Sequence, residues 1–362
     1  MAGVNAWAPF AIGLALAATS CAPRADDRPA TASVPSAHAG PCLADAPIPA
    51  PAPSTAGMAH LPGGTFQMGA RPLRREEGPP RPTRVGAFWI DRTDVTNAQF
   101  ARFVAATGYV TLAERPLDPK AYPQLHGDQL KPSAIVFVGS DRPPGSDPSQ
   151  WWAVVPGANW RHPEGPGSSI VGKETLPVVQ VAFADALAYA RWLGRDLPTE
   201  AEWEYAAQGG RAPARFIWGD RPFDDKHPQA NVWQGVFPAI DTGADGYRAQ
   251  ASPVGCFPAN GFGLYDMAGD VWQWTKDVYA PNLAPDAKAD PQGPGPLPVL
   301  GDVAHNHVIK GGSFLCSPDY CFRYRPAARE AGPTDTGENH IGFRTVLRLA
   351  GPPLAPRMSV LW

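Results

Sequence analysis

Glycine and proline interrupt this chain so often that it has no room for long helices or long regular strands: 37 glycines and 44 prolines are spread over 362 residues. Proline removes a backbone donor and fixes φ, glycine frees the backbone, and both end regular elements. The fold must be loop-rich, with short elements around a core to which twelve tryptophans contribute large apolar surfaces. Five cysteines are too few for a disulfide scaffold, so apolar burial has to carry most of the stability. The length allows one large domain or two ordinary ones. Lys plus Arg (31) nearly balance Asp plus Glu (34), which leaves no electrostatic footprint for nucleic acid or an anionic membrane surface. Beyond the N-terminal segment no apolar run is long enough to span a bilayer, and no internal repeat is visible.

Residues 1–20 carry no charged side chain and run apolar from Ala6 to Ala18, ending Ala18-Thr19-Ser20-Cys21. A short apolar stretch, small residues and then cysteine resembles a bacterial lipoprotein signal, with Cys21 as the lipidated residue. The missing basic start departs from that pattern, and Ala37-His38-Ala39 offers an alternative cleavage site of the small-x-small kind. The chain is expected to be exported, to the periplasm or cell envelope, with membrane contact only through a lipid on Cys21. Residues 21–57, mostly Ala, Pro and Ser, read as an extended tether. A folded domain is expected over residues 58–350, followed by a tail, 351–362.

Within the domain, Thr65 to Met68 and Phe88 to Asp91 read as strands. Thr96 is a good N-cap for a helix on which Phe100, Phe103 and Val104 recur at helical spacing. The segment from Leu117 to Gly172 reads as a long packed loop, a common place for binding residues. Pro177 to Val181 is a buried-strand candidate and Asp185 to Leu193 an amphipathic helix. Thr199 caps another helix carrying Glu200, Glu202, Trp203 and Glu204. Three later stretches, from Asn231, Asp241 and Asn260, are dense in oxygen-bearing residues and glycines, which suits calcium loops and plain turns alike. Cys42 and Cys256 are open to pairing in an oxidising compartment or to remaining free.

Chemistry concentrates in KGGSFLCSPDYCFRYRPAAREAGPTDTGENHIGFR, from Lys310 to Arg344. Cys316 and Cys321 stand with four residues between them. Thiols this close form a disulfide, hold a soft metal, or alternate between thiol and disulfide during turnover.

Taken together, PGGTFQMG, FWIDRTDVTN, TGYVTLAE, ANWRHPEGPGSS, LPTEAEWEYAAQGG, ANVWQGVFP, NGFGLYDMAGDVWQW and the cysteine segment resemble, in order, the formylglycine-generating enzymes, also called sulfatase-modifying factors. The resemblance covers about residues 58 to 349. It implies an α+β, loop-rich fold related to C-type lectin-like folds. It also implies oxidation, by dioxygen, of a cysteine in a C-x-P-x-R motif of a sulfatase-type polypeptide to Cα-formylglycine, with copper(I) as cofactor and a thiol reductant. The rivals are a non-catalytic module holding a peptide or glycan on the same fold, and an oxidase of that fold with a different substrate.

By the same resemblance Cys316 and Cys321 are copper ligands, Ser313 is a hydrogen-bond donor near the oxygen site, and Trp272 is a wall that keeps it dry. Two sulfurs suit a soft monovalent ion and leave room for a substrate sulfur. Trp151 is implied to receive the substrate proline, Asp94 and Asp118 to pair with its arginine, and His340 to line the pocket. Calcium is implied at two sites. Asn231, Val232, Asp245 and Tyr247 form the first; Asp266, Gly269, Val271 and Gln273 form the second. The family usually has Asn where this chain has Asp270 and Glu where it has Gln273, which predicts a weaker second site. Asp196 departs from a basic residue common before LPTE.

Overall fold

The computed structural model describes residues 42–43, 54–140, 150–281 and 306–348. The export signal, Cys21, most of the tether and the tail 351–362 lie outside these residues. In chain order the strands and helices are β1 (Met58–Leu61), β2 (Gly64–Met68), β3 (Arg81–Val85), β4 (Phe88–Asp91), α1 (Asn97–Thr107), β5 (Ser133–Phe137), β6 (Trp152–Pro156), α2 (Phe183–Trp192) and α3 (Glu200–Gln208). There follow β7 (Gly235–Val236), β8 (Ile240–Asp241), β9 (Trp272–Val278), β10 (His307–Lys310), β11 (Glu330–Gly332), β12 (Ile341–Gly342) and β13 (Val346–Leu347). The longest of these has 11 residues, as the glycine and proline density demands.

Two sheets organise the molecule. One has the order β1-β4-β13 and the other β11-β10-β9-β12, in which β12 runs parallel to β9 and pairs Ile341 with Trp272. That pairing brings the GFR end of the cysteine segment against the WQW strand. Between the sheets lies an aromatic core that includes Phe100, Phe103, Tyr189, Trp203, Trp274 and Phe343, all at most 2% exposed. At about 25 cal/mol per Å² of apolar surface, each such side chain contributes on the order of 2 kcal/mol.

The helices start and stop where side-chain chemistry dictates. Thr96 Oγ1 accepts the Gln99 N–H (3.3 Å) while Gln99 Oε1 accepts the Thr96 N–H (2.9 Å), and Gly108 closes α1 at φ 66°. Thr199 and Glu202 make the same reciprocal pair at the start of α3, at 3.1 and 2.7 Å.

Two sequence expectations are corrected. Pro177 to Val181 is buried but is not a strand. Gln180 turns at φ 60° and sends its side-chain N–H groups to the carbonyls of Ile135 and Pro163, so only Pro177 makes an isolated bridge. The stretch from Leu117 to Gly172 is not all loop, because β5 and β6 form a hairpin within it.

Parts of the expected tether are seated on the body. Of the two states open to Cys42 and Cys256, the structure has the disulfide, and Leu43 lies over Gly255. Further on, Arg195 donates to the carbonyl of Ser54 at 2.6 Å. Asp196 also finds a role: its carboxylate bridges Lys276 (2.7 Å) and Arg348 (2.8 Å), tying β9 to the end of β13. Among the described residues no helix is long and apolar enough to cross a membrane.

Candidate active site

After β10 the chain turns through Gly311 and Gly312. At Gly312 φ is 74°, and a Cβ there would stand 2.9 Å from the Tyr324 nitrogen, so only glycine lets the two arms of the segment approach. The turn delivers Ser313, and the Cys316 N–H then donates to the Ser313 carbonyl at 2.9 Å. Cys316 and Cys321 are joined as a disulfide, their Cα atoms 4.8 Å apart. Cys316 is 2% exposed, whereas Cys321 is half-buried. Binding a metal through both sulfurs requires this bond to be reduced.

The pair lies on the wall of a cavity of about 290 Å³. Ser313, Trp272, Trp152, Tyr320 and His340 share that wall, with Arg74, Arg323, Glu330 and Glu338 supplying charge. Arg323 is held by Glu330 at 2.9 Å. His340 sits between Ser313 Oγ (3.2 Å from Nδ1) and Glu338 Oε2 (2.8 Å from Nε2), with the Trp152 ring edge-on at 4.8 Å. The donor set fits a soft ion once the sulfurs are thiols: two sulfurs open on one side to an aromatic-walled space.

The other arginines of the motif turn away from the cavity. Arg325 forks onto Glu77 at 3.0 and 2.5 Å, and Arg329 onto Glu200 at 2.8 and 2.9 Å. Arg344 donates to Gln273, to the Asp91 carbonyl and to the Tyr265 carbonyl. All are at most 2% exposed. These are anchors of the fold.

Of the sequence-derived candidates, the structure brings Cys316, Cys321, Ser313, Trp272 and His340 to one cavity. Trp151 is not on the wall. It is 3% exposed and lies edge-on beneath Phe237 and Tyr320, because the strand period turns Trp152 outward instead. Asp94 is not available to a substrate arginine. It is 1% exposed, 3.5 Å from Arg344 and 3.3 Å from the Gln273 amide, and burial pushes its carboxyl well up despite Arg344. Asp118 is exposed on a turn, accepting the Lys120 N–H at 2.9 Å, away from the cavity wall. Trp152, Tyr320, Arg74, Glu330 and Glu338 were missed as site residues. Glu338 carried no periodic signal: it stands two residues before His340 in a turn closed by the Ile341 N–H on the Glu338 carbonyl at 3.2 Å.

A family profile described as "Sulfatase-modifying factor enzyme 1-like domain" matches residues 44–349. This chain belongs to that family. The formylglycine-generating enzyme of Mycobacterium tuberculosis is 51% identical over 291 residues, 80% of this chain and 97% of the relative. That of Bos taurus is 39% identical over 351 residues, 95% of this chain and 88% of the relative. A mouse relative, "Inactive C-alpha-formylglycine-generating enzyme 2", is 37% identical over 292 residues, covering 79% and 84% of the two chains. Among solved structures, PvdO from Pseudomonas aeruginosa superposes with a TM-score of 0.52 at 27% identity, over 81% of this chain and 94% of that one.

The oxygen-rich loops of this sulfatase-modifying-factor domain fit calcium unequally. At the first, Asp245 accepts the N–H groups of Val232 (3.1 Å) and Tyr247 (2.9 Å), while the Asn231 amide donates instead to the Gln250 carbonyl and to Asp270 (both 3.0 Å). Burial pushes Asp245 up to about 7, a cost that a bound cation would offset. At the second, Asp266 Oδ1 and Asp270 Oδ2 are buried without hydrogen-bond partners. Burial raises both groups, Asp266 to about 6. Gln273 does not join them. Its oxygen accepts from Trp203 (2.7 Å) and Arg344 (2.8 Å), and its amide nitrogen donates to the Asp266 carbonyl (2.7 Å). Two donors fix that orientation, so the ligand role read for Gln273 is withdrawn, and Asp270 presents the free oxygen.

Proposed function

We propose that this chain oxidises a cysteine in a C-x-P-x-R segment of a sulfatase-type polypeptide to Cα-formylglycine, using dioxygen and a thiol reductant. The observation that carries the reading is the Cys316–Cys321 pair on the wall of an aromatic cavity beside Ser313 and His340. The names of the relatives support an enzyme of this kind. The step balances with one dioxygen and a pair of reductant thiols per substrate cysteine. The products are the aldehyde, hydrogen sulfide, the reductant's disulfide and one water. Two electrons come from the substrate carbon and two from the reductant. Copper(I), held by Cys316 and Cys321 as thiolates, would supply the activation of dioxygen.

The chain's own residues do the rest. Trp272 and Trp152 exclude water, and Tyr320 offers the aromatic face to the substrate proline that was first read for Trp151. Glu330, on the cavity wall beside Arg323, offers its carboxylate to the substrate arginine. Calcium at the Asp245 and Asp266–Asp270 loops would hold the segments that buttress Trp272. Export with a lipid on Cys21 belongs to the same reading and is checked by the intact mass of the mature protein, which should include a diacylglyceryl group.

The deciding experiment incubates a short C-x-P-x-R peptide with reduced, copper-loaded protein and a thiol in air, followed by mass spectrometry. Conversion of the cysteine side chain to an aldehyde supports the oxidase. An unchanged peptide at full copper occupancy refutes this substrate class.

A further inference from the structure

Three groups on the cavity wall form a continuous hydrogen-bonded line. Glu338 Oε2 is 2.8 Å from His340 Nε2, and His340 Nδ1 is 3.2 Å from Ser313 Oγ. For a neutral imidazole facing the Glu338 carboxylate, which only accepts, the ring hydrogen sits on Nε2 and the lone pair on Nδ1. In that tautomer the Ser313 hydroxyl donates to Nδ1, while its oxygen accepts the Leu315 N–H at 3.3 Å. With its hydrogen so committed, Ser313 Oγ meets the cavity as an acceptor. The His340 and Glu338 side chains are only 11% and 14% exposed, which shields the line from bulk water.

We infer, building on the oxidase reading, that Ser313, His340 and Glu338 are a proton relay that takes the thiol proton of the bound substrate cysteine. The S–H bond breaks and its electron pair stays on sulfur. The proton passes to Ser313 Oγ as the Ser313 hydrogen passes to His340 Nδ1, and Glu338 faces the resulting imidazolium. The step consumes no oxidant or reductant. An ordinary thiol, with a pKa of about 8.5, is only a few per cent ionised at neutral pH, so a base inside the cavity removes a real limit. His340 is the base, Ser313 carries the proton, and Glu338 is a positioning residue that fixes the tautomer. The other charged or titratable groups facing this space are Arg74, Arg323 with its partner Glu330, Tyr320 and the two cysteines.

The test measures kcat/KM for the peptide against pH with the full copper-loaded chain and its variants. His340→Asn should lower kcat/KM near neutrality by about 10²-fold or more, and the deficit should shrink as pH rises into the thiol range. Glu338→Gln should lose part of that activity and Glu338→Asp should regain some of it, with copper(I) stoichiometry unchanged in all three. A deficit of the same factor at every pH overturns the relay while the native enzyme still oxidises peptide. A native enzyme that leaves the peptide untouched overturns the oxidase reading and removes the relay's substrate with it. A readout free of activity is the ¹⁵N signature of the His340 ring. Hydrogen on Nε2 in native protein, shifted by Glu338→Gln, is expected; hydrogen on Nδ1 overturns the relay.

Discussion

The segment from Lys310 to Arg344 builds two regions of opposite character. Its inward side is a set of saturated charge pairs: Arg325 with Glu77, Arg329 with Glu200, and Lys310 with Glu204 at 3.1 Å. Its outward side is the cavity, where sulfur, hydroxyl and imidazole line open space. Burial is severe inside, yet Arg325 holds Glu77 below the usual carboxylate range against the push of desolvation. The contrast teaches that charge in a motif does not by itself mark chemistry. Groups whose valences are all filled hold the fold, and groups left facing space are the ones able to act.

Breaking the outer side should abolish function and spare the fold. Cys316→Ser or Cys321→Ser should remove peptide oxidation, on the order of 10³-fold or more, while circular dichroism and the melting temperature change little. A variant that keeps activity would erase the distinction between the regions. Breaking the inner side should do the reverse. Glu77→Ala leaves Arg325 buried and unpaired and should cost about 3–5 kcal/mol in denaturant unfolding, with activity per folded molecule retained.

Asp277 sharpens the comparison because it is an inner carboxylate without a full counter-charge. It accepts the Glu200 N–H at 2.7 Å, and burial, then the Glu200 charge, pushes it up to about 7. A carboxyl raised on folding favours the folded state most below its unfolded value near 4, and that contribution is lost as pH rises to 7. Asp277→Asn should therefore gain stability relative to native protein between pH 4 and 7, by at most roughly 1.4 kcal/mol per unit, and stay level above. A flat difference would contradict the assignment. The smallest effect belongs to the edge of the fold: Thr96→Ala should cost about 1 kcal/mol by removing the α1 cap, with no effect on oxidation.

The same contrast explains what the sequence made legible. Helix starts at Thr96 and Thr199 and the strand at Phe88 follow from local patterns that tertiary packing leaves intact, whereas the convergence of Cys316, Cys321, Ser313 and Trp272 is legible only through the family resemblance. Misreadings arose where one long-range contact decides. Trp151 and Trp152 are indistinguishable in sequence, and only the β5–β6 register buries the first and exposes the second to the cavity. The resemblance pairs Asp94 with a substrate arginine, but Arg344, from the far end of the domain, faces it in the core. Gln273 kept a ligand's position while Trp203 and Arg344 took its oxygen.

The most direct test of the central claim, that reactivity resides in the Cys316–Cys321 pair, is titration of the fully reduced protein with copper(I), read by thiolate-to-copper absorption. Saturation at one equivalent in the native chain, lost in Cys316→Ser and in Cys321→Ser, is the predicted result. Equally tight, stoichiometric binding by either variant would contradict the account.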